Sequence, residues 1–247
     1  EPIYNMSLPM YFQANMSMKA NGIKVTLAGD MGDEILAGYS SYYALREKLK
    51  NKKMNHDELV KFWLTHRLGA PPAMFLSDEI PYSIDRVAEY LAMTTFSEDL
   101  FDENDIISSY MRFDQVGLCA EDYFRRNDRF GMIFSMEGRF PFASKRFMTY
   151  CMNIHSKDKM HEKYTKNSKG KMLSQLAYKN ILPDFIINKT KTGWTSPVSG
   201  WCKHNTRGYS KIEECFNKKS KIGVSEEPSG KAKMAIEQYN LWRSLGW

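Results

Sequence analysis

Three acidic side chains fall within five residues of one another: Asp30, Asp33 and Glu34, in the run Ile23-Lys24-Val25-Thr26-Leu27-Ala28-Gly29-Asp30-Met31-Gly32-Asp33-Glu34. Carboxylates at that density suit a hard cation. Gly29 and Gly32 let the backbone come close to a ligand. A plainer reading uses the same residues. Asp30 caps a helix, and Asp33 and Glu34 favour its first turn through the helix dipole. Acidic first turns are common, so residue chemistry alone favours the cap. Two later segments also carry groups suited to chemistry. One runs Asn127-Asp128-Arg129-Phe130-Gly131-Met132 and on to Glu137-Gly138-Arg139-Phe140-Pro141-Phe142. The other holds Lys169-Gly170-Lys171, then Leu182-Pro183, then Lys189 to Trp201.

These groups need elements to hold them. Ile23, Val25 and Leu27 alternate, which predicts a strand over 23–28. In open α/β sheets, ligands sit beyond the carboxyl ends of strands, where the acidic turn would lie. A helix is expected over 7–21, capped by Ser7 and stopped by Asn21-Gly22. Its apolar residues run most of the way round, as for a helix covered on several sides. A helix follows from about 33 to 50, and a second is capped by Asp57. A loop opens at Gly69, and Ser83 caps another helix through about Met93. An acidic turn spans 97–104, helices fill about 105–135, residues 217–231 form an exposed loop, and 231–243 are helical. The strand at 23–28 is the only one with a clear pattern. A lone strand leaves both backbone edges unpaired, so its partners are expected upstream or in another polypeptide.

Bulk composition narrows the classes. The chain has 247 residues, 43% hydrophobic and 26% charged, an ordinary globular balance. It has no run of 18 apolar residues, so no membrane span is expected. Glu1-Pro2-Ile3-Tyr4 lacks a basic or apolar leader and an initiator Met, which reads as a processed product or a fragment. Cys119, Cys151, Cys202 and Cys215 are widely spaced, which argues against zinc and for reduced thiols in the cytoplasm. The net charge of +6 suits anionic partners. Its dispersed basic residues and missing nucleic-acid motifs make a solvated basic surface the simpler meaning.

Taken together and in order, the motifs resemble the synthetase domain of glutamine-dependent asparagine synthetases. That family has a strand leading to a Gly-acid-Gly turn with Asp-Glu and a later Gly-Tyr, matched by Gly29, Asp30, Gly32, Asp33, Glu34, Gly38 and Tyr39. Its central segment is matched by Asp128, Arg129, Met132, Glu137, Arg139, Pro141 and Phe142. Its lysine segment and tail are matched by Gly170, Lys171, Leu182, Pro183, Ile186, Lys191, Gly193, Trp194, Pro197 and Trp201. The resemblance implies a mostly helical chain with one or few strands, the C-terminal part of an α/β adenine-nucleotide-hydrolase-like (ATP pyrophosphatase) domain spanning 1–247. It implies adenylation of a carboxylate by ATP with Mg²⁺, then attack by ammonia to give an amide. Aspartate is the acceptor implied first. Sugar acids of surface polysaccharides and peptides are acceptors of broader relatives.

The resemblance also assigns roles. Asp33 ligates Mg²⁺, Ala28, Gly29 and Gly32 border the nucleotide, Asp30 acts in forming and using the acyl-adenylate, and Lys171 is the catalytic cation. Without the motif, Lys171 is one more lysine among Lys163, Lys166, Lys169 and Lys179. Glu137 and Arg139 either border the substrate carboxylate or pair with each other. Two apart on an extended segment they point the same way, which suits a buried polar network. Trp194 and Trp201 are expected to pack rather than to stack on substrate.

The sequence departs from the family at several positions. Met31 stands where a small residue is usual, and its side chain is expected to crowd the ligand. Ala28, Ala143-Ser144, Gln175 and Lys189 also differ. No Gly-Gly pair occurs anywhere in the chain, so the family's phosphate loop is absent. That loop, and a glutaminase domain as partner, are expected upstream or on another chain. A chemically silent partner subunit is the rival reading, and a basic nucleic-acid binder a weaker one; neither a nucleic-acid nor a membrane partner is expected.

Overall fold

Most helix boundaries trace to particular hydrogen bonds. The computed structural model describes residues 5, 7–68, 84–163 and 170–190. Expectations for the loop at 69–81, Ser83, Lys191, Gly193, Trp194, Pro197, Trp201, Cys202, Cys215 and 217–243 lie outside them. Helix α1 (Leu8–Ala20) has Pro9 in its first turn and stops at Asn21-Gly22, with Gly22 at φ 77°. Ser7 gives no side-chain cap; its own N–H donates to Asn5 Oδ1 at 2.9 Å. The expectation of a helix covered on several sides fails. Asn15 is its buried residue, and Phe12 and Met16 are exposed.

Strand β1 (Val25–Leu27) is not an orphan. It pairs in parallel with β2 (Glu137–Arg139), with Val25 opposite Glu137 and Leu27 opposite Arg139. The partner was hidden because Glu-Gly-Arg shows no apolar alternation, and Gly is a poor strand former. A parallel pair needs a long crossover, which the helices from 32 to 133 provide. Val25 and Leu27 remain 51% and 77% exposed, so these two strands do not bury their own apolar residues.

The helix expected over 33–50 is two helices, α2 (Gly32–Ile35) and α3 (Ser40–Leu49). Ala37 turns left-handed at φ 55°, and the Gly38 N–H returns to the Asp33 carbonyl at 2.8 Å. This six-to-one closure ends α2 after one turn. Helix α4 (His56–Leu68) starts with a reciprocal cap. The Glu58 N–H donates to Asn55 Oδ1 at 2.9 Å, and the Asn55 N–H donates to Glu58 Oε2 at 3.2 Å. Asn55, not Asp57, is therefore the cap.

Helix α5 (Ile84–Thr94) packs along α4. Helix α6 (Ile106–Asp114) is capped by Asp105, whose carboxylate accepts from the Ser108 N–H at 3.0 Å. A π-helical stretch, Gln115–Phe124, joins α6 to α7 (Arg125–Ile133) in one continuous run. Beyond β2 come a 3₁₀ turn at Pro141–Ala143, α8 (Lys145–Met152), α9 (Ser156–Lys159), α10 (Met172–Tyr178) and α11 (Asp184–Ile187). The described residues are thus mostly helical with two short strands. No helix among them is long and apolar enough to cross a membrane.

A polar hub pins α3, α4 and α6 together inside the main core. The fully buried Asp114 carboxylate accepts from the Tyr42 hydroxyl at 2.6 Å, Trp63 Nε1 at 2.7 Å and Arg67 Nε at 2.8 Å, with a further bond from Arg67 Nη2. Around it pack Leu45, Leu59, Phe96, Tyr110 and Phe113. A buried ion pair survives only when its hydrogen bonds are complete. Asp114→Ala leaves Arg67 charged and stranded. It should lower unfolding stability by about 3–5 kcal/mol, read from urea denaturation. A loss below about 1 kcal/mol would show that the hub does not anchor these helices.

Candidate active site

The turn after β1 sends its three acids to three places. Asp33 alone of them lines a cavity of ≈ 480 Å³, shared with Gly38, Phe142, Lys171, Gln175 and Tyr178. There Lys171 Nζ stands 3.3 Å from Asp33 Oδ1. The approach depends on two bare backbones. A Cβ on residue 38 would fall 1.7 Å from Asp33 Oδ1, and one on residue 170 would fall 2.8 Å from the Gly38 carbonyl oxygen. Only glycine at both positions lets these segments touch.

The returning chain is also tethered. Arg46 on α3 donates to the carbonyls of His161 and Glu162 at 2.8 and 3.0 Å. The His161 N–H donates to the Tyr43 hydroxyl at 3.2 Å. His161 Nε2 lies 3.0 Å from Gln175 Oε1, which fixes that side chain at the cavity. Lys171 itself is left-handed, at φ 54°. For a non-glycine residue this conformation costs about 1–3 kcal/mol and gathers at functional sites.

Glu34 turns inward. It is 1% exposed and accepts from the Tyr39 hydroxyl at 2.6 Å, and that hydroxyl lies 3.4 Å from the Tyr123 hydroxyl. Burial pushes the Glu34 carboxyl up to about 7, against the opposing bond from Tyr39. Burial likewise pushes the neighbouring Cys119 thiol up. Cys119 and Cys151 are both free and buried, as reduced thiols.

Asp30 does not cap α2. The capping position is Met31, which makes no side-chain cap bond. Asp30 Oδ2 instead accepts from Asn127 Nδ2 at 2.7 Å. Burial raises the Asp30 carboxyl above its ordinary range, while the Arg126 charge and the Asn127 bond pull it back. Met31, expected to crowd the ligand, is not among the residues that line the Asp33–Lys171 cavity. It sits left-handed at φ 76°, which explains why a small residue suits this place, and its side chain is buried with Ile35, Leu36, Cys119 and Cys151.

The remaining expected residues scatter around this frame. The Ala28 N–H donates to the Arg139 carbonyl at 2.9 Å, so β1 and β2 stay joined up to the turn. A Cβ on Gly29 would meet only open space, whereas one on Gly32 would touch the Phe142 ring at 3.5 Å. Gly32 therefore packs on protein, and its N–H bonds the Gly29 carbonyl at 3.3 Å. Arg139 Nη2 pairs with Glu137 Oε2 at 3.0 Å, with both side chains more than half exposed. They do face the same way, but the expected buried network is a surface pair.

Among the described residues no three His, Cys, Asp or Glu side chains converge on a common point. The dense acids of the sequence are thus not a self-contained cation cage. What remains is one half-buried carboxylate beside one lysine. A single carboxylate fits Mg²⁺, which is held by one or two carboxylates and completed by substrate phosphates and water.

The sequence matches the family model described as asparagine synthase over residues 1–222. The chain belongs to the asparagine synthase family. It is 27% identical over 208 residues to asparagine synthetase 3 (glutamine-hydrolyzing) of Bacillus subtilis strain 168, a match covering 72% of this chain and 29% of that protein. It is 23% identical over 226 residues to asparagine synthetase 1 (glutamine-hydrolyzing) of the same organism, covering 80% of this chain and 34% of that protein. The chain thus spans about a third of the length of these asparagine synthetase relatives.

Sequence reasoning missed the partners rather than the motifs. In the sequence Asn127 only opens the segment that carries Asp128 and Arg129. Its bond to Asp30 crosses 97 residues of chain, and no local pattern announces it. Glu34 reads from the sequence as a cation ligand or a first-turn acid, yet its spacing to Tyr39 is a legible hint of an inward pair. The Glu34 shift has a consequence with a definite sign. The folded chain keeps this proton up to about pH 7, whereas the unfolded chain loses it from its ordinary 4.5. Stability therefore falls as pH rises through that window, by about 3 kcal/mol in all. Glu34→Gln should flatten this slope between pH 5 and 8 in urea denaturation. An unchanged slope would place the titration elsewhere.

Proposed function

We propose that the chain supplies the Asp33–Lys171 part of an ATP-dependent amide-forming site, as the C-terminal portion of an asparagine synthase-type domain. The observation that carries this reading is the meeting of Asp33 and Lys171 at 3.3 Å on the wall of one cavity. The exposed Val25 and Leu27 support a sheet that continues into an upstream phosphate-loop portion. The overall reaction joins a carboxylate, aspartate first, to ammonia released from glutamine by a glutaminase domain upstream or on a second chain, in the cytoplasm.

The residues divide the work as follows. Lys171 places its ammonium where negative charge grows at the α-phosphorus as the substrate carboxylate oxygen attacks and pyrophosphate leaves. Asp33 holds Lys171 in place and would hold Mg²⁺, which when bound neutralises phosphate charge. Gln175 and Tyr178 line the cavity wall beside them. Asp30 takes a proton from the attacking ammonia as its nitrogen lone pair forms the C–N bond and the C–O bond to AMP breaks. The backbone of Ala28, Gly29 and Gly32 borders the nucleotide, and Glu137 and Arg139 brace the strand end next to it.

The rival of a silent partner subunit gains weight if Met31 crowds the ligand. The burial of that side chain supports the active reading over this rival. The test is pyrophosphate release from ATP by the full gene product, with aspartate, a sugar acid or a peptide carboxylate as acceptor. Lys171→Ala should lower the rate about 10²–10³-fold while the far-ultraviolet spectrum stays unchanged. Wild-type turnover by that variant would overturn the assignment, and no turnover by the unaltered protein with any acceptor would favour the silent partner.

A further inference from the structure

Asp30 is held by a neutral group although a cation is close at hand. Arg126 lies beside it and carries the largest opposing charge. That arginine is itself almost fully buried, and its Nη1 donates to both Asp122 oxygens, at 2.9 and 2.7 Å. Its guanidinium sits over the rings of Tyr11 and Tyr123 at 4.8 and 5.2 Å. Asn5 Nδ2 adds a bond to Asp122 Oδ2 at 3.1 Å. The Arg126 charge is thus matched by Asp122, and the side-chain donor on Asp30 is the Asn127 amide.

That amide is not free to swing. Asn127 Nδ2 also donates to the Tyr123 carbonyl at 3.1 Å, one turn back along the same helical run. Two acceptors fix the rotor, so Asp30 Oδ2 meets a donor that is already oriented. The other carboxyl oxygen has no side-chain partner among the described residues. The difference from an ion pair is chemical. A guanidinium on the carboxylate stabilises the charged form strongly and makes a weak base, whereas neutral donors, here the Asn127 amide and the Asp30 backbone N–H, orient it and leave it more basic.

We propose that Asn127 is the positioning residue of Asp30, orienting its carboxylate through Oδ2 and leaving the other oxygen to accept the proton of the attacking amine. This rests on the reading of Asp30 as proton acceptor. It predicts a selective effect. The proton-acceptor step belongs to amide formation, so Asn127 weighs more on that step than on adenylation, in which the resemblance also involves Asp30. The groups facing Asp30 are Tyr11 from α1, Asp122 and Cys119 from the π-helical stretch, and Arg126 and Asn127 from α7. Of the two on α7 only Arg126 is charged, so a new carboxylate at position 127 adds a like charge against Asp30.

The experiment uses the full gene product and measures two rates, ATP–pyrophosphate exchange and amide formation. Asn127→Ala should lower kcat for amide formation about 10- to 100-fold, a larger loss than it causes in exchange, with the KM for ATP unchanged. Asn127→Gln, which keeps the donor, should recover part of that loss. Asn127→Asp is nearly isosteric and should move the acid limb of the amide-formation pH profile up by about one unit. Equal losses in both rates, or an unmoved acid limb in Asn127→Asp, would reduce Asn127 to a packing residue and overturn the proposal. Asp30→Asn separates the two ideas. Amide formation retained in Asp30→Asn would sink the proton-acceptor reading and the proposal with it. Amide formation lost in Asp30→Asn but normal in every Asn127 variant would sink the positioning role alone.

Discussion

The site depends on the absence of one side chain. At Gly38 a Cβ would collide with the Asp33 carboxylate on one side, while the Gly38 carbonyl lies against Gly170 on the other. This contact ends α2, aims Asp33 into the cavity and brings Lys171 to it. Any other residue at 38 would push the acid away or part the two segments. The close packing has a second effect. Lys171 follows Gly170 immediately and is forced into a left-handed conformation, so its position follows from the turn as well as from its attraction to Asp33.

One short turn of helix sorts three carboxylates that a reader of the sequence would pool. Successive helical residues point about 100° apart, so Asp33 faces the cavity while Glu34 enters the core. Asp30 precedes the left-handed Met31 and is thrown towards α7 instead. The three environments have different electrostatics. Asp33 is paired with a cation, Glu34 is kept protonated by burial up to about pH 7, and Asp30 is held by a neutral amide beside an arginine already matched by Asp122. Placing all three on a common cation would need them on one face, which this backbone forbids.

The Asp114 hub does for the scaffold what Gly38 does for the site. It joins α3, α4 and α6, and the same Arg67 that binds Asp114 lies over the ring of Tyr39, 4.4 Å from its centroid. Tyr39 in turn holds Glu34. The helical core and the acidic turn are therefore linked through one arginine. None of this network shows in the sequence as a pattern, because its members are far apart and polar. Burial of apolar residues is periodic and legible, whereas a buried polar contact leaves no period.

The sequence alone determined the order of the motifs, the family, the strand before the turn, the stop at Asn21-Gly22 and the helical character of most of the chain. These rest on local patterns: alternation, turn residues and spacing. It also fixed which residue types were available for chemistry. Tertiary structure decided which of them meet. It paired β1 with a strand lacking any apolar pattern, broke the expected helix at Ala37-Gly38, buried the Met31 side chain and put Glu137 and Arg139 on the surface. The physical reason is common to all four. Each outcome was set by a left-handed backbone turn or by a contact across distant chain, and neither is encoded in the periodicity of neighbouring residues.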